Sequence, residues 1–341
     1  MLSPALEVEH PTNTASLAVA LADYAAGFAI DDGAALRMAR HCLIEALGGG
    51  FEALREPECA ALIGPLVPGS MMPGGARVPG TSLELDPAQA AFCAGLMLCR
   101  SASRGQWLTL RGGGAVEAFG ALLAVADYRG RKAIMEGKSP PKVRDVLAAM
   151  IKAVEIEGVL AAEGAMLRPA RIAITAVVTA QLGGALRQIV TALSYACTDG
   201  GMRIEADEQY DSGRRDSDWA KDWAKADAIS RAVRYACQAM AAGSTYLTPP
   251  DRESVDLTDK HLCAKPWAPR KSFGTAVIGQ LAAARRPQGV AELTMRFQGA
   301  VDRHFPARQA ERIKTLFAAP ERLDDLPVSE LLAALVTNGA R

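Results

Sequence analysis

DPAQAAFCAGLMLCRS, residues 86–101, decides the fold class. Asp86 places a carboxylate where the first unpaired N–H groups of a helix lie. Pro87 occupies the first helical position, where no backbone donor is needed. Residues 88–101 are apolar on nearly every side, and a helix of that kind is buried. Working outward, helical spacing predicts a jacket around it. Upstream, helices are predicted over 17–28, capped by Thr14 or Ser16, and over 34–47, stopping at Gly48-Gly49-Gly50. Residues 55–82, rich in Pro and Gly, read as a long surface connection with one short helical piece at 60–63. Downstream, helices are predicted over 116–128, 143–160 (opened by Ser139-Pro140), 169–182 and 185–197, the last stopping at Asp199-Gly200-Gly201. A long amphipathic helix over 218–240 carries an apolar stripe from Trp219 and Trp223 to Met240. Residues 243–270 read as irregular, and further helices are predicted over 275–284, 290–302, 306–318 and 328–336. The pattern has no period of a solenoid. The fold class is all-α.

Composition narrows the function. Of 341 residues, 50% are hydrophobic and 22% charged, which excludes a disordered chain, a collagen-like repeat and a disulfide miniprotein. Lys plus Arg equals Asp plus Glu at 38 each, so no net field draws the chain to nucleic acid or an anionic membrane. Aromatics at 5% are too few for base-stacking platforms. Seven cysteines without C-x-x-C spacing suggest neither a disulfide framework nor a zinc site. No signal-peptide pattern and no apolar run of about 18 residues is present, so a cytoplasmic setting is expected.

Local motifs carry little chemistry by themselves. Gly112-Gly113-Gly114 fits no phosphate loop and reads as a turn. Gly137-Lys138-Ser139 resembles the end of a Walker A loop, but Lys132 stands where the first Gly is required. His10, His41, His261 and His304 have no metal-ligand spacing. Lys221 and Lys225 lie one turn apart on the long helix, with Lys221 about 200° around from Trp219. The pattern alone reads as a solvated face, and the alternative is a pair of cations for a substrate carboxylate.

The chain resembles the MmgE/PrpD family, whose bacterial members include 2-methylcitrate dehydratases of propionate catabolism. The resemblance is carried by LADYAAGF, ARHCLIEALGGGFEALREPECAALIGPLVPG, ARVPGTSLELDPAQAAF, VLAAMIKAVEIEGVLA, TAVVTAQLG, WAKADAISRAVRYA and AVDRHFPARQAERI. It implies a large helical domain built from both ends of the chain, residues 1–247 and 286–341, with the α+β lid largely missing and reduced to a remnant at 248–285. It implies homodimers, no metal, no cofactor and a small carboxylic acid as substrate, from which water is eliminated. Two family segments are altered. Ser101-Ala102-Ser103-Arg104-Gly105-Gln106-Trp107 stands in place of an acidic D-F-N-D-type run, and Gly114 stands where the resemblance places a histidine. Lys221 matches the family's active-site lysine, although Lys225-Ala226 replaces Ala-Gly beside it. The expected site is therefore Lys221 as catalytic residue, with Arg214, Arg231 and Arg270 binding substrate. Two functions are expected of such a chain. One is a hydro-lyase with impaired or redirected activity; the other is a non-catalytic helical dimer serving as a binding or assembly subunit.

Overall fold

The computed structural model describes residues 15–103, 114–162, 169–199, 214–242 and 287–337. The elements are α1 (Ala15–Gly27), α2 (Gly33–Ala53), α3 (Pro57–Leu62), β1 (Ala76–Arg77), β2 (Glu84–Leu85), α4 (Pro87–Ser103), α5 (Gly114–Met135), α6 (Val143–Ala162), α7 (Pro169–Gln181), α8 (Leu186–Thr198) and α9 (Arg214–Ala241). The C-terminal part contributes α10 (Pro287–His304), α11 (Ala307–Phe317), α12 (Pro320–Asp325) and α13 (Val328–Ala334). The protein is all-α; among the described residues the strands are β1 and β2, two residues each, which pair antiparallel. The predicted helix at 275–284 and the proposed lid remnant at 248–285 lie outside the described residues.

The decisive helix behaves as its sequence predicts. Asp86 Oδ1 accepts from the N–H groups of Ala88 at 3.0 Å and Gln89 at 3.1 Å. Residues 93–100 are all buried. Helix α4 packs against α2, α5 and α9. The α4–α5 crossing is very close: a Cβ on Gly120 would stand 2.8 Å from the Gly95 backbone, so a glycine pair lets the two helices touch. A second layer is formed by α7, which packs on α6, α8 and α9, with α1 laid over α7 and α8. From the C-terminal part, α10 packs on α2, α12 on α6 and α13 on α5.

Several sequence expectations are corrected. Helix α2 runs through Gly48-Gly49-Gly50 to Ala53. A Cβ on Gly50 would lie 2.6 Å from Met97 Cε, so Gly50 serves interhelical packing and does not stop the helix. The stretch at 55–82 is more than a surface connection. Cys59, Ala76 and Val78 are fully buried, and Gly80 N–H donates to Leu335 O at 2.8 Å, which joins this segment to the C-terminal helices. Helix α6 begins at Val143 as its spacing predicts, but Ser139-Pro140 does not open it, because the ring of Pro141 keeps Pro140 out of the helical region.

His304 has a structural role. His304 ends α10, donates from Nε2 to Gly80 O at 2.7 Å and stacks on Phe51. Burial holds its pKa below the usual value. His41 is half-buried within α2, whereas His10 and His261 lie outside the described residues.

One buried acid stands apart from these contacts. Glu155 on α6 is 4% exposed, and its Oε2 has no hydrogen-bond partner among the described residues. Burial pushes its pKa from 4.5 up to about 7. A raised pKa means the folded state favours the neutral carboxyl. That contribution is whole below pH 4.5 and is lost as pH rises through about 7. At ~1.4 kcal/mol per pH unit the loss amounts to about 3 kcal/mol. Glu155→Gln is therefore expected to stabilise the protein by about that amount at pH 8 and to have little effect near pH 4.5. Urea denaturation at the two pH values measures it; an equal effect at both would rule the titration out as the cause.

Candidate functional site

Three helices line an open cavity of about 390 Å3. That volume lies within the range of small-molecule sites, about 300–1,000 Å3. One wall is a face of α9: Lys221, Ala224, Lys225, Ala228 and Ile229, spaced so that they stack along one side of the helix. Alanine at 224 and 228 leaves the space. The first two turns of α7 add Pro169, Ala170, Arg171 and Ile174, and α6 adds Glu157. Among the described residues, three cationic side chains and one carboxylate thus share an otherwise apolar lining.

Lys221 is exposed on the side of α9 that its spacing predicts, away from Trp219. The other side of α9 is occupied by a buried pairing. Asp222 is fully buried and accepts from Arg100 Nη1 at 3.4 Å, while Arg100 also donates to Glu56 at 3.1 Å and lies over the Trp219 ring at 4.0 Å. That anchorage to α4 fixes the rotation of α9 and turns Lys221 and Lys225 to the cavity. Both lysines line the pocket, Lys221 exposed and Lys225 half-buried.

Arg171 is 4% exposed and belongs to a charged hub. Its Nη1 donates to Asp199 Oδ2 at 3.3 Å, and its Nη2 to Ala196 O at 2.9 Å and Asp199 O at 2.5 Å. Asp199, the residue after α8, also accepts from Arg231 Nη1 at 3.0 Å and from the Tyr235 hydroxyl. Burial, together with the Asp199 carboxylate, pushes the Tyr235 phenol up to about 12. Arg231 is further tied to Asp227 at 2.7 Å, and its hydrogen bond to Asp199 raises its pKa.

Of the residues expected from sequence, Lys221 reaches the cavity. Arg231 does not line it; its guanidinium is committed to Asp199 and Asp227. Arg214 opens α9, but its side chain lies outside the described residues, as does Arg270. Arg171 and Glu157 were not singled out by the sequence. They come from helices 50 or more residues before Lys221, and no local pattern links the three. Among the described residues no group of three His, Cys, Asp or Glu side chains could hold a metal. No described helix is long and apolar enough to cross a membrane. The described cysteines are all free, and burial pushes Cys59 to about 12 and Cys93 to about 11, which marks them as inert thiols.

The architecture and the pocket define an all-helical protein with a cation-rich cavity of small-molecule size. Comparison with known sequences makes this specific. The MmgE/PrpD N-terminal domain profile matches residues 19–245, and the chain belongs to the MmgE/PrpD family. The 2-methylcitrate dehydratase of Cupriavidus necator is 38% identical over 267 residues, which cover 76% of this chain and 54% of that protein. That of Salmonella typhimurium is 40% identical over 267 residues, with the same coverage. That of Escherichia coli is 39% identical over 235 residues, 67% of this chain and 48% of its own length. The chain spans about half the length of these curated relatives.

Proposed function

We propose that the chain binds a citrate-like polycarboxylate in the α6–α7–α9 cavity and eliminates water from it, as a hydro-lyase of reduced or redirected activity. The observation that supports this is the meeting of Lys221, Lys225, Arg171 and Glu157 in one pocket. Such an elimination needs cations on the carboxylates, a base at the C–H beside a carboxylate and an acid at the leaving hydroxyl. Lysines 221 and 225 hold carboxylates, and the Lys221 ammonium donates the proton with which hydroxide departs as water. Glu157 takes the carbon-bound proton, and the C–H electron pair becomes the double bond. No redox step occurs, so the reading includes no cofactor. Residues 1–247 and 286–341 form the helical domain in this reading, 248–285 is a reduced lid, and the protein works as a cytoplasmic homodimer.

The test follows the ultraviolet absorbance of the unsaturated product with 2-methylcitrate, citrate and small dicarboxylates. Slow turnover of at least one acid is expected. A folded protein that turns over none of them removes the hydro-lyase reading. One observation favours the second reading, a non-catalytic binding subunit: Gly114 stands where the family resemblance places a histidine, and loss of a positioned acid or base typically costs about 10²–10⁴ in rate. Binding of these acids without turnover would establish it.

A further inference from the structure

We infer that residues 61–73 form the surface on which a second copy of this chain docks, the two segments lying antiparallel about a two-fold axis. The inference gives the homodimer of the proposed function its interface and so rests on that reading. The segment, ALIGPLVPGSMMP, holds no charged residue. It nevertheless lies at the surface: Leu66 is 80% exposed and Val67 63%, with Leu62, Met71 and Met72 exposed beside them. Helix α5 extends the patch. Arg131 donates to Gly75 O at 2.9 Å and pairs with Glu84, which brings the end of α5 beside the end of the segment. Met135, one turn on from Arg131 and 75% exposed, lies on the same face of the helix. Six such side chains make an apolar patch on the order of 500 Å2, at the upper end of what lone soluble proteins show.

The backbone of the segment is held while these side chains face outward. Gly64 O accepts from Gln89 Nε2 at 2.7 Å. Ser70 N–H donates to Val67 O at 2.9 Å, and Met72 N–H donates to Glu84 O at 2.9 Å. Docking therefore costs little further chain entropy. Charge and area name the occupant. Glu58, the one charged residue of α3, is exposed at the Leu62 end. Lys132, next to Arg131, is exposed at the Met72 end, where Glu136 and Lys138 neutralise each other at 2.8 Å. One end of the patch is thus acidic and the other basic. A two-fold axis across its middle lays the acidic end of one copy on the basic end of the other, so the surface complements itself. An anionic lipid surface matches only the basic end. With its polar rim the patch reaches the ~800 Å2 that a standard interface takes from each partner.

The experiment measures dimer dissociation of the full-length protein by analytical ultracentrifugation across a dilution series. Leu66→Asp and Val67→Asp are each expected to raise the dissociation constant about 10²-fold or more, because every change occurs twice across a two-fold interface. Val19→Asp, at an exposed apolar position on α1, is expected to leave it unchanged. At low salt Glu58→Lys and Lys132→Glu each weaken the dimer, and the double variant recovers. Hydrogen exchange at residues 62–73 is expected to slow as the wild-type protein is concentrated. A dimer indifferent to Leu66→Asp and Val67→Asp, or a double charge reversal no tighter than the single ones, overturns this surface and leaves the homodimer reading standing. A chain that stays monomeric overturns both. A monomer whose residues 62–73 gain protection only on phosphatidylcholine–phosphatidylglycerol vesicles has a lipid partner, which also overturns the inference.

Discussion

Glu157→Gln is expected to lower turnover of the best citrate-like substrate by about 10²–10⁴ while leaving its affinity nearly unchanged. Among the described residues that line the cavity, Glu157 is the one carboxylate; the other charged ones are Arg171, Lys221 and Lys225. In the proposed elimination this carboxylate is the group that receives the carbon-bound proton. Glutamine keeps the shape and the packing but has no basic oxygen. A loss confined to kcat is the signature of an interaction made only in the transition state. Lys221→Ala contrasts with it, because that change weakens binding as well. Two readouts separate these outcomes: initial rates of product absorbance, and exchange of the substrate's carbon-bound proton into D2O. Glu157→Asp, with the carboxylate withdrawn by one methylene, is expected to retain part of the exchange. Full exchange and turnover in Glu157→Gln would remove Glu157 as the base.

The fold was largely legible because its main signals are local. The Asp86-Pro87 start and the apolar run behind it are contained in one helix, and the structure caps and buries that helix as expected. The triple glycine at 48–50 misled for the opposite reason. Its local meaning is a stop, while its use is set by Met97 and Leu98 on another helix. The β1–β2 ribbon has two residues per strand, too few to show an alternation. The site was legible to the extent that it lies on one element. Lys221 and Lys225 share a face of α9, and that face followed from their distance around the helix from Trp219. Arg171 and Glu157 join them only through packing of α6, α7 and α9. Arg231 stays outside this cavity on a similar point. A cation on a helix face gives no sign that Asp199, at the end of the preceding helix, already holds it.

The largest loss of stability away from the cavity is expected at Asp127, where Asp127→Ala should cost about 3–5 kcal/mol. This carboxylate is fully buried on α5. It accepts from the Arg77 backbone N–H at 2.8 Å, from Arg77 Nε at 3.0 Å and from Arg77 Nη2 at 2.6 Å. Arg77 Nη2 also donates to Ser329 O at 2.5 Å, so one ion pair joins the β1–β2 ribbon, helix α5 and the C-terminal helix α13. Desolvation of the two charges has already been offset by this bidentate geometry. Removing the acid leaves a largely buried guanidinium with its counter-ion gone, which costs more than the intact pair contributes. Replacing both residues by apolar ones of similar size, Asp127→Leu with Arg77→Met, is accordingly expected to cost less than Asp127→Ala alone. Urea denaturation with an unchanged slope measures the difference. A cost below about 1 kcal/mol for Asp127→Ala would mean that the ribbon and the C-terminal helices are held by their apolar contacts, with the ion pair contributing little.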